Sequence, residues 1–333
     1  MKARLAAWLE RRWYGGVAPA WPLRVLAAAY GLVVRRRRRA FLRTRSHSPR
    51  AGLPVIVVGN LSVGGAGKTP LVLALIEALR ARGWQPGVIS RGYGGRAPGP
   101  ERVLPGSDPA RVGDEPCLIA SRSGAPVAIA RRRAEALELL ERSHEVDLVV
   151  ADDGLQHYAL PRDFEILVTD GRRRFGNGLL LPAGPLREPA ERAADCDFRV
   201  VNGGTAEADE VPMQLVLDDA RSLDESATRP LQEFEGQRVH AVAGIGDPQR
   251  FFDALQARGI EVVPHPFPDH HAFRATDLRF AEHLPLLMTE KDAVKCRAFA
   301  APGRWFVPVR GELPEPFIAA LDARLRRIAG ATA

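Results

Sequence analysis

Residues 59–70 read Gly-Asn-Leu-Ser-Val-Gly-Gly-Ala-Gly-Lys-Thr-Pro, directly after the β-branched run 55–58 and directly before a strongly apolar helical pattern. Strand, glycine loop, Lys-Thr and helix in that order restrict the fold more than any other stretch. Glycines let successive backbone N–H groups turn toward one oxyanion, and the helix N-terminus adds its dipole. Lys68 can then reach the β and γ phosphates, Thr69 can offer its hydroxyl to Mg²⁺, and Pro70 needs no donor in a first helical turn. Ser62, Val63, Gly64, Gly65, Ala66, Gly67, Lys68 and Thr69 form the expected nucleotide loop. The strict pattern has glycine where this chain has Ser62, so the form is relaxed.

Around this loop, short apolar runs at 55–58, 88–90, 127–129, 148–151, 166–169 and 198–201 predict buried strands, with helices at 70–82 and 131–142 between them. The alternation implies an α/β fold, a mostly parallel sheet flanked by helices and built on the P-loop. Polar stretches at 203–210 and 222–229 break the pattern. Beyond them, runs at 239–243, 262–263, 287–289 and 305–309, with helices at 248–258 and 316–327, predict a smaller C-terminal α/β unit. The expected division is an N-terminal amphipathic segment 1–45, a nucleotide-binding core 46–215, and a smaller domain 216–333 that contributes to the active-site cleft.

The chain has 333 residues, 46% hydrophobic and 26% charged, which is ordinary globular composition with ample material for a core. The formal charge of +7 comes largely from arginine runs at 35–39, 131–133 and 172–174. An anionic partner follows, and charge alone does not choose among nucleic acid, lipid and a phosphorylated substrate. Three widely spaced cysteines form no CxxC pair, so neither a disulfide framework nor a zinc site is expected, and a reducing compartment is.

The apolar segment 17–34 is interrupted by Pro19, Pro22 and Arg24, and its unbroken part, 25–34, is too short to cross a bilayer. No signal-peptide cleavage pattern follows it. Leu23, Leu26, Ala27, Tyr30, Val33 and Val34 recur at helical spacing, with Trp8, Trp13 and Trp21 upstream and the arginine run downstream. That is the composition of a helix lying in a membrane interface and drawn to anionic headgroups. A helix packed on the protein's own core is the alternative.

The run 148–151 ends in Asp152-Asp153-Gly154, and a carboxylate at that strand end is where a P-loop enzyme holds Mg²⁺. Further blocks carry a resemblance: Ser90-Arg91-Gly92-Tyr93-Gly94-Gly95, Gly113-Asp114-Glu115-Pro116, Asp152-Asp153-Gly154-Leu155-Gln156-His157, Leu181-Pro182-Ala183-Gly184-Pro185-Leu186-Arg187-Glu188, Phe267-Pro268-Asp269-His270-His271 and Thr289-Glu290-Lys291-Asp292. In this order they resemble the tetraacyldisaccharide 4'-kinase family, the lipid A 4'-kinases of Gram-negative bacteria.

The resemblance implies transfer of the γ-phosphoryl of ATP to the 4'-hydroxyl of a tetraacyldisaccharide 1-phosphate, giving lipid IVA at the cytoplasmic face of the inner membrane. It implies a peripheral or monotopic enzyme with an anionic glycolipid substrate, an anionic membrane surface as partner, and neither nucleic acid nor an obligate protein partner. Asp114 and His270 are then the catalytic pair beside Lys68. Thr69, Asp152, Asp153 and Glu188 surround Mg²⁺, with the sequence leaving open which aspartate touches it. Arg91, Tyr93, Gln156, His157 and Arg187 face substrate, and Lys291 lies at the nucleotide. Residues 289–292 lack the Asn-Lys-x-Asp order of a guanine reader, which points to ATP.

Without the resemblance, Asp114 is equally a helix cap and Asp269-His270-His271 a surface loop. A nucleotide-hydrolysing switch protein shares the glycine loop. A non-enzymatic basic binder leaves Lys68, Thr69, Asp152 and Asp153 without a role, and no aromatic-basic strand of an RNA binder is present.

Overall fold

A computed structural model describes residues 2–44 and 51–332, so the expected boundary at 45–46 lies outside the described residues. Along the chain come α1 (Lys2–Tyr14), α2 (Trp21–Thr44), β1 (Val55–Gly59), α3 (Lys68–Arg80), β2 (Pro86–Ser90), β3 (Glu101–Val103), α4 (Pro109–Val112), α5 (Asp114–Ser123), β4 (Val127–Ile129), α6 (Arg133–Glu141), β5 (Leu148–Ala151), β6 (Phe164–Asp170), β7 (Phe198–Asn202) and β8 (Val211–Leu217). There follow β9 (Ala220–Ser222), β10 (Thr228–Arg229), β11 (Arg238–Ala243), α7 (Pro248–Gln256), β12 (Glu261–Pro266), β13 (Leu286–Thr289), α8 (Glu290–Cys296), β14 (Arg304–Val307), β15 (Val309–Glu312) and α9 (Glu315–Thr332).

The larger sheet has the order β15-β8-β7-β6-β1-β5-β2-β4-β3, parallel except at its two edge strands. Alternation along β1 feeds two cores: Ile56 and Val58 join α3, α5 and α9 on one face, while Val55 and Val57 join α6 on the other. Covering both faces is what allows parallel strands as apolar as these, and each fully buried Val, Leu or Ile stabilises the fold by ~1.5–3 kcal/mol. The smaller sheet runs β10-β9-β14-β13-β11-β12.

The chain then returns to the first sheet. β15 pairs antiparallel with β8, and α9 sinks Phe317, Ile318, Leu321 and Leu325 into the core around α3. The sequence pattern places the helix 316–327 on the second unit; the structure packs it on the first, because its i, i+1, i+4, i+8 stripe fills the face that α3 and β15 leave open. The two crossings lie side by side, with Asp218 N donating to Pro308 O at 3.0 Å.

Helix α2 has two faces. Ala27, Gly31 and Val34 are buried, Tyr30 donates its hydroxyl to Arg187 O at 3.0 Å, Arg38 meets Asp195 at 2.7 Å, and Phe41 stacks on Tyr158. The opposite face leaves Trp21 76%, Leu32 69%, Val25 59%, Leu26 56% and Val33 56% exposed. Among the described residues no helix is long and apolar enough to cross a membrane.

Candidate active site

The glycine loop leaves the carboxyl end of β1 at the middle of the larger sheet, where the strand order turns and α/β proteins open a crevice. Two glycines there are sterically required. A Cβ on Gly59 would stand 2.8 Å from the Leu155 side chain, and one on Gly67, where φ is 94°, would stand 2.3 Å from Asn202 Nδ2. The loop is held from both sides: Val63 N donates to Pro185 O at 2.9 Å, and Asn202 Nδ2 donates to Ala66 O at 3.1 Å. Lys68, at the start of α3, donates to Asn60 Oδ1 at 3.2 Å and lies 3.7 Å from Asp153. Thr69 follows it in the first turn, half-buried, and Ser62, Gly64 and Gly65 line the open side.

At the end of β5, Asp152 is 1% exposed and neither carboxylate oxygen has a partner. Burial first, and the neighbouring Glu115 and Asp153 charges next, push its pKa up to about 7. Asp153, in the left-handed region at φ 49°, faces Arg187 at 3.0 Å and is held below the ordinary carboxylate range: burial opposes ionisation, and Lys68 and Arg187 outweigh it. Glu188 accepts from Gln156 Nε2 at 3.1 Å and from the Tyr158 hydroxyl, and burial raises its pKa. His157 accepts from Arg133 N at 3.3 Å, and burial and adjacent arginines lower its pKa to about 4, so it is a neutral acceptor.

Among the described residues no three His, Cys, Asp or Glu side chains converge as a ready-made metal cage. Mg²⁺ asks for less, because kinases hold it with one or two carboxylates, a hydroxyl, waters and the nucleotide's own phosphates. The orphaned, buried carboxylate of Asp152 beside the Lys68-Thr69 turn fits that donor set.

The second constellation joins the two sheets. Asp114 opens α5 after Gly113, whose φ is 98°, and is buried. His270 sits at φ 58° in the connection from β12 to β13, with its Nδ1 3.0 Å from Asp114 Oδ2. That hydrogen bond is the main cause raising the His270 pKa above the usual imidazole value. Burial works against ionising Asp114, but His270 and Lys291 outweigh it and its pKa is lowered. Tyr93 places its ring 5.2 Å from His270, and exposed Arg91 lines with it a cleft of roughly 260 Å³ that also reaches Arg131.

The Lys291 ammonium is paired with Glu115 at 3.0 Å and Asp269 at 3.3 Å. Asn60, Asn202, Glu115 and Tyr158 carry this geometry without having been singled out from sequence. Asn60, which follows Gly59 into the loop, and Glu115, inside the Gly-Asp-Glu-Pro block, had a local signal; Asn202 and Tyr158 had none.

The family model of tetraacyldisaccharide-1-P 4'-kinase matches residues 19–326. A tetraacyldisaccharide 4'-kinase of Stenotrophomonas maltophilia (strain R551-3) is 52% identical over 326 residues, 95% of this chain and 96% of its own. One from Methylobacillus flagellatus is 48% identical over 330 residues, 98% of both chains. The crystal structure of LpxK from Aquifex aeolicus, an "apo" form in complex with ATP, aligns with a TM-score of 0.75 at 26% identity, over 91% of this chain and 97% of that one. Similarity of that depth across nearly the whole length means that the chain belongs to the tetraacyldisaccharide-1-P 4'-kinase family.

Proposed function

We propose that this protein transfers the γ-phosphoryl of ATP to the 4'-hydroxyl of tetraacyldisaccharide 1-phosphate, forming lipid IVA in lipid A biosynthesis. The observation that carries the reading is the 3.0 Å contact of His270 with Asp114, made between two sheets at the crevice that opens on the phosphate loop. A hydrolytic switch needs no such base. An alcohol acceptor does, because its hydroxyl must lose a proton as the O–P bond forms.

In this scheme Nδ1–H of His270 donates to ionised Asp114, which fixes the tautomer and leaves Nε2 to take the hydroxyl proton, the logic of any carboxylate–imidazole pair. Lys68 follows charge onto the transferring group, and Arg187 neutralises more of it. Thr69, Asp152, Asp153 and Glu188 are the residues that would hold Mg²⁺, which would supply neutralisation of phosphate charge. Arg91 and Tyr93, with Gln156 and His157, face the sugar side.

The outward face of α2 rests in the anionic membrane surface at the cytoplasmic side of the inner membrane, which presents the crevice to a lipid acceptor. Its exposed Trp, Val and Leu side chains and the arginines beyond them support this placement. The test incubates purified protein in detergent with Mg²⁺, γ-labelled ATP and tetraacyldisaccharide 1-phosphate. Label entering the lipid is expected; label released only as inorganic phosphate, equally with and without lipid, would defeat the reading.

A further inference from the structure

The contact between Asp114 and His270 has a companion made by the residues next to each. Glu115 follows Asp114 on α5, Asp269 precedes His270, and Lys291 on α8 touches both, at 3.0 Å and 3.3 Å. One ammonium therefore closes a ring that runs from Asp114 to Glu115, through Lys291 to Asp269, and through His270 back to Asp114. The Lys291 side chain is only 18% exposed. At the far end of α5, Arg122 pairs with Glu290, the residue before Lys291, at 2.9 Å. Helices from the two sheets are thus tied at two points, and the dyad lies at one of them.

Among the described residues, His270 is faced by Asp114 from α5, Lys291 from α8, Asp269 from its own connection and the Tyr93 ring from the glycine-rich turn after β2. Glu115 stands on the far side of Lys291, and Lys295 acts on Asp114. Lys291 is the cation in this set that disfavours a proton on His270, and it also favours a charge on Asp114, whereas Asp269 favours the protonated imidazole. We infer that Lys291 is a positioning residue for phosphoryl transfer, which sets Asp114 against His270 across the seam between the sheets and keeps the imidazole free to accept a proton, and that it does not hold the nucleotide. The inference rests on the dyad reading given above.

A base displaced by about an ångström costs on the order of a hundredfold in rate. Lys291→Met is therefore expected to lower the single-turnover rate at saturating ATP and lipid by roughly 10- to 100-fold, with the KM for ATP within about twofold of wild type. The acid limb of the rate, read between about pH 5.5 and 9, should move up by about half a unit, because a repelling charge is gone. Asp269→Asn should move that limb down, and Lys291→Arg should keep it in place and recover most of the rate.

Melting temperatures accompany each variant, and if Lys291→Met does not fold, the downward limb of Asp269→Asn decides the matter. A raised KM for ATP with an intact rate would make Lys291 a nucleotide ligand and overturn the inference. A lost rate with the limb unmoved in the folded variants would also overturn it, because a purely structural bridge does that. Wild-type enzyme without lipid-dependent transfer would instead sink the functional reading on which this one stands.

Discussion

The ammonium of Lys68 stands 3.2 Å from Asn60 and 3.7 Å from Asp153, so its place is fixed before any phosphate arrives. Lys68→Ala should lower the transfer rate by about two to three orders of magnitude with the melting temperature preserved, the cost of removing one preorganised donor. Asp114→Ala and His270→Ala should each cost about two to four orders. Because the two residues share one hydrogen bond, the double variant should be little slower than the worse single one, and multiplicative losses in single-turnover assays would contradict a joint role.

The pH dependence has a definite sign. His270 is raised above 6.5 chiefly by Asp114, so a rate that needs the neutral imidazole should climb with pH through a midpoint above 6.5. Asp114→Asn should bring that midpoint down, which a pH–rate profile of the variant checks. The Asp114 and His270 pairing was legible in the sequence only through the resemblance, since 156 residues separate them and either one alone reads as a cap or a loop.

At the scale of elements, strands surrounded on both faces were the most legible. Strands β4 and β5 fall at 127–129 and 148–151, the bounds their apolar runs predict, because full burial leaves no polar position to blur the ends. Helix α5 escaped notice: its first turn is Asp-Glu-Pro, and its buried residues follow without a polar face to mark a period. The asparagine that closes the phosphate loop, Asn202, was illegible for another reason, since it reaches Ala66 only through the β6–β7–β8 edge of the sheet.

Helix α2 carries a prediction of its own. Its inner face touches Arg187 and Tyr158, next to the phosphate site, so deleting the helix would confound membrane binding with catalysis. Glutamate at Trp21, Leu26 and Leu32 changes only the exposed face. Each such side chain that leaves an apolar environment forfeits ~1.5–3 kcal/mol. The triple variant should fail to sediment with anionic vesicles and show a raised KM for lipid in a bilayer, with ATP affinity and melting temperature unaltered. Undiminished sedimentation would move the membrane contact elsewhere.

On the scale of the molecule, the return of β15 and α9 joins the last residues of the chain to a core begun near residue 55. Sequence pattern could find the strand and the helix but not their destination, because an amphipathic stripe says that a face is buried and not against what. Leu321 is fully buried in that core, and Leu321→Ala should destabilise the protein by about 2–5 kcal/mol, read from denaturant unfolding.

This late return also sets an order of events on the ribosome. The smaller sheet, at 220–307, can assemble as soon as it emerges, while the larger one waits with the outer edge of β8 bare and the apolar face of α3 uncovered until the final two dozen residues appear. Unpaired strand edges and naked apolar faces recruit other chains. A nascent protein stalled or clipped near residue 308 should therefore be a client of holding chaperones and a seed for aggregation, even though every residue of its phosphate loop and its dyad has already been made.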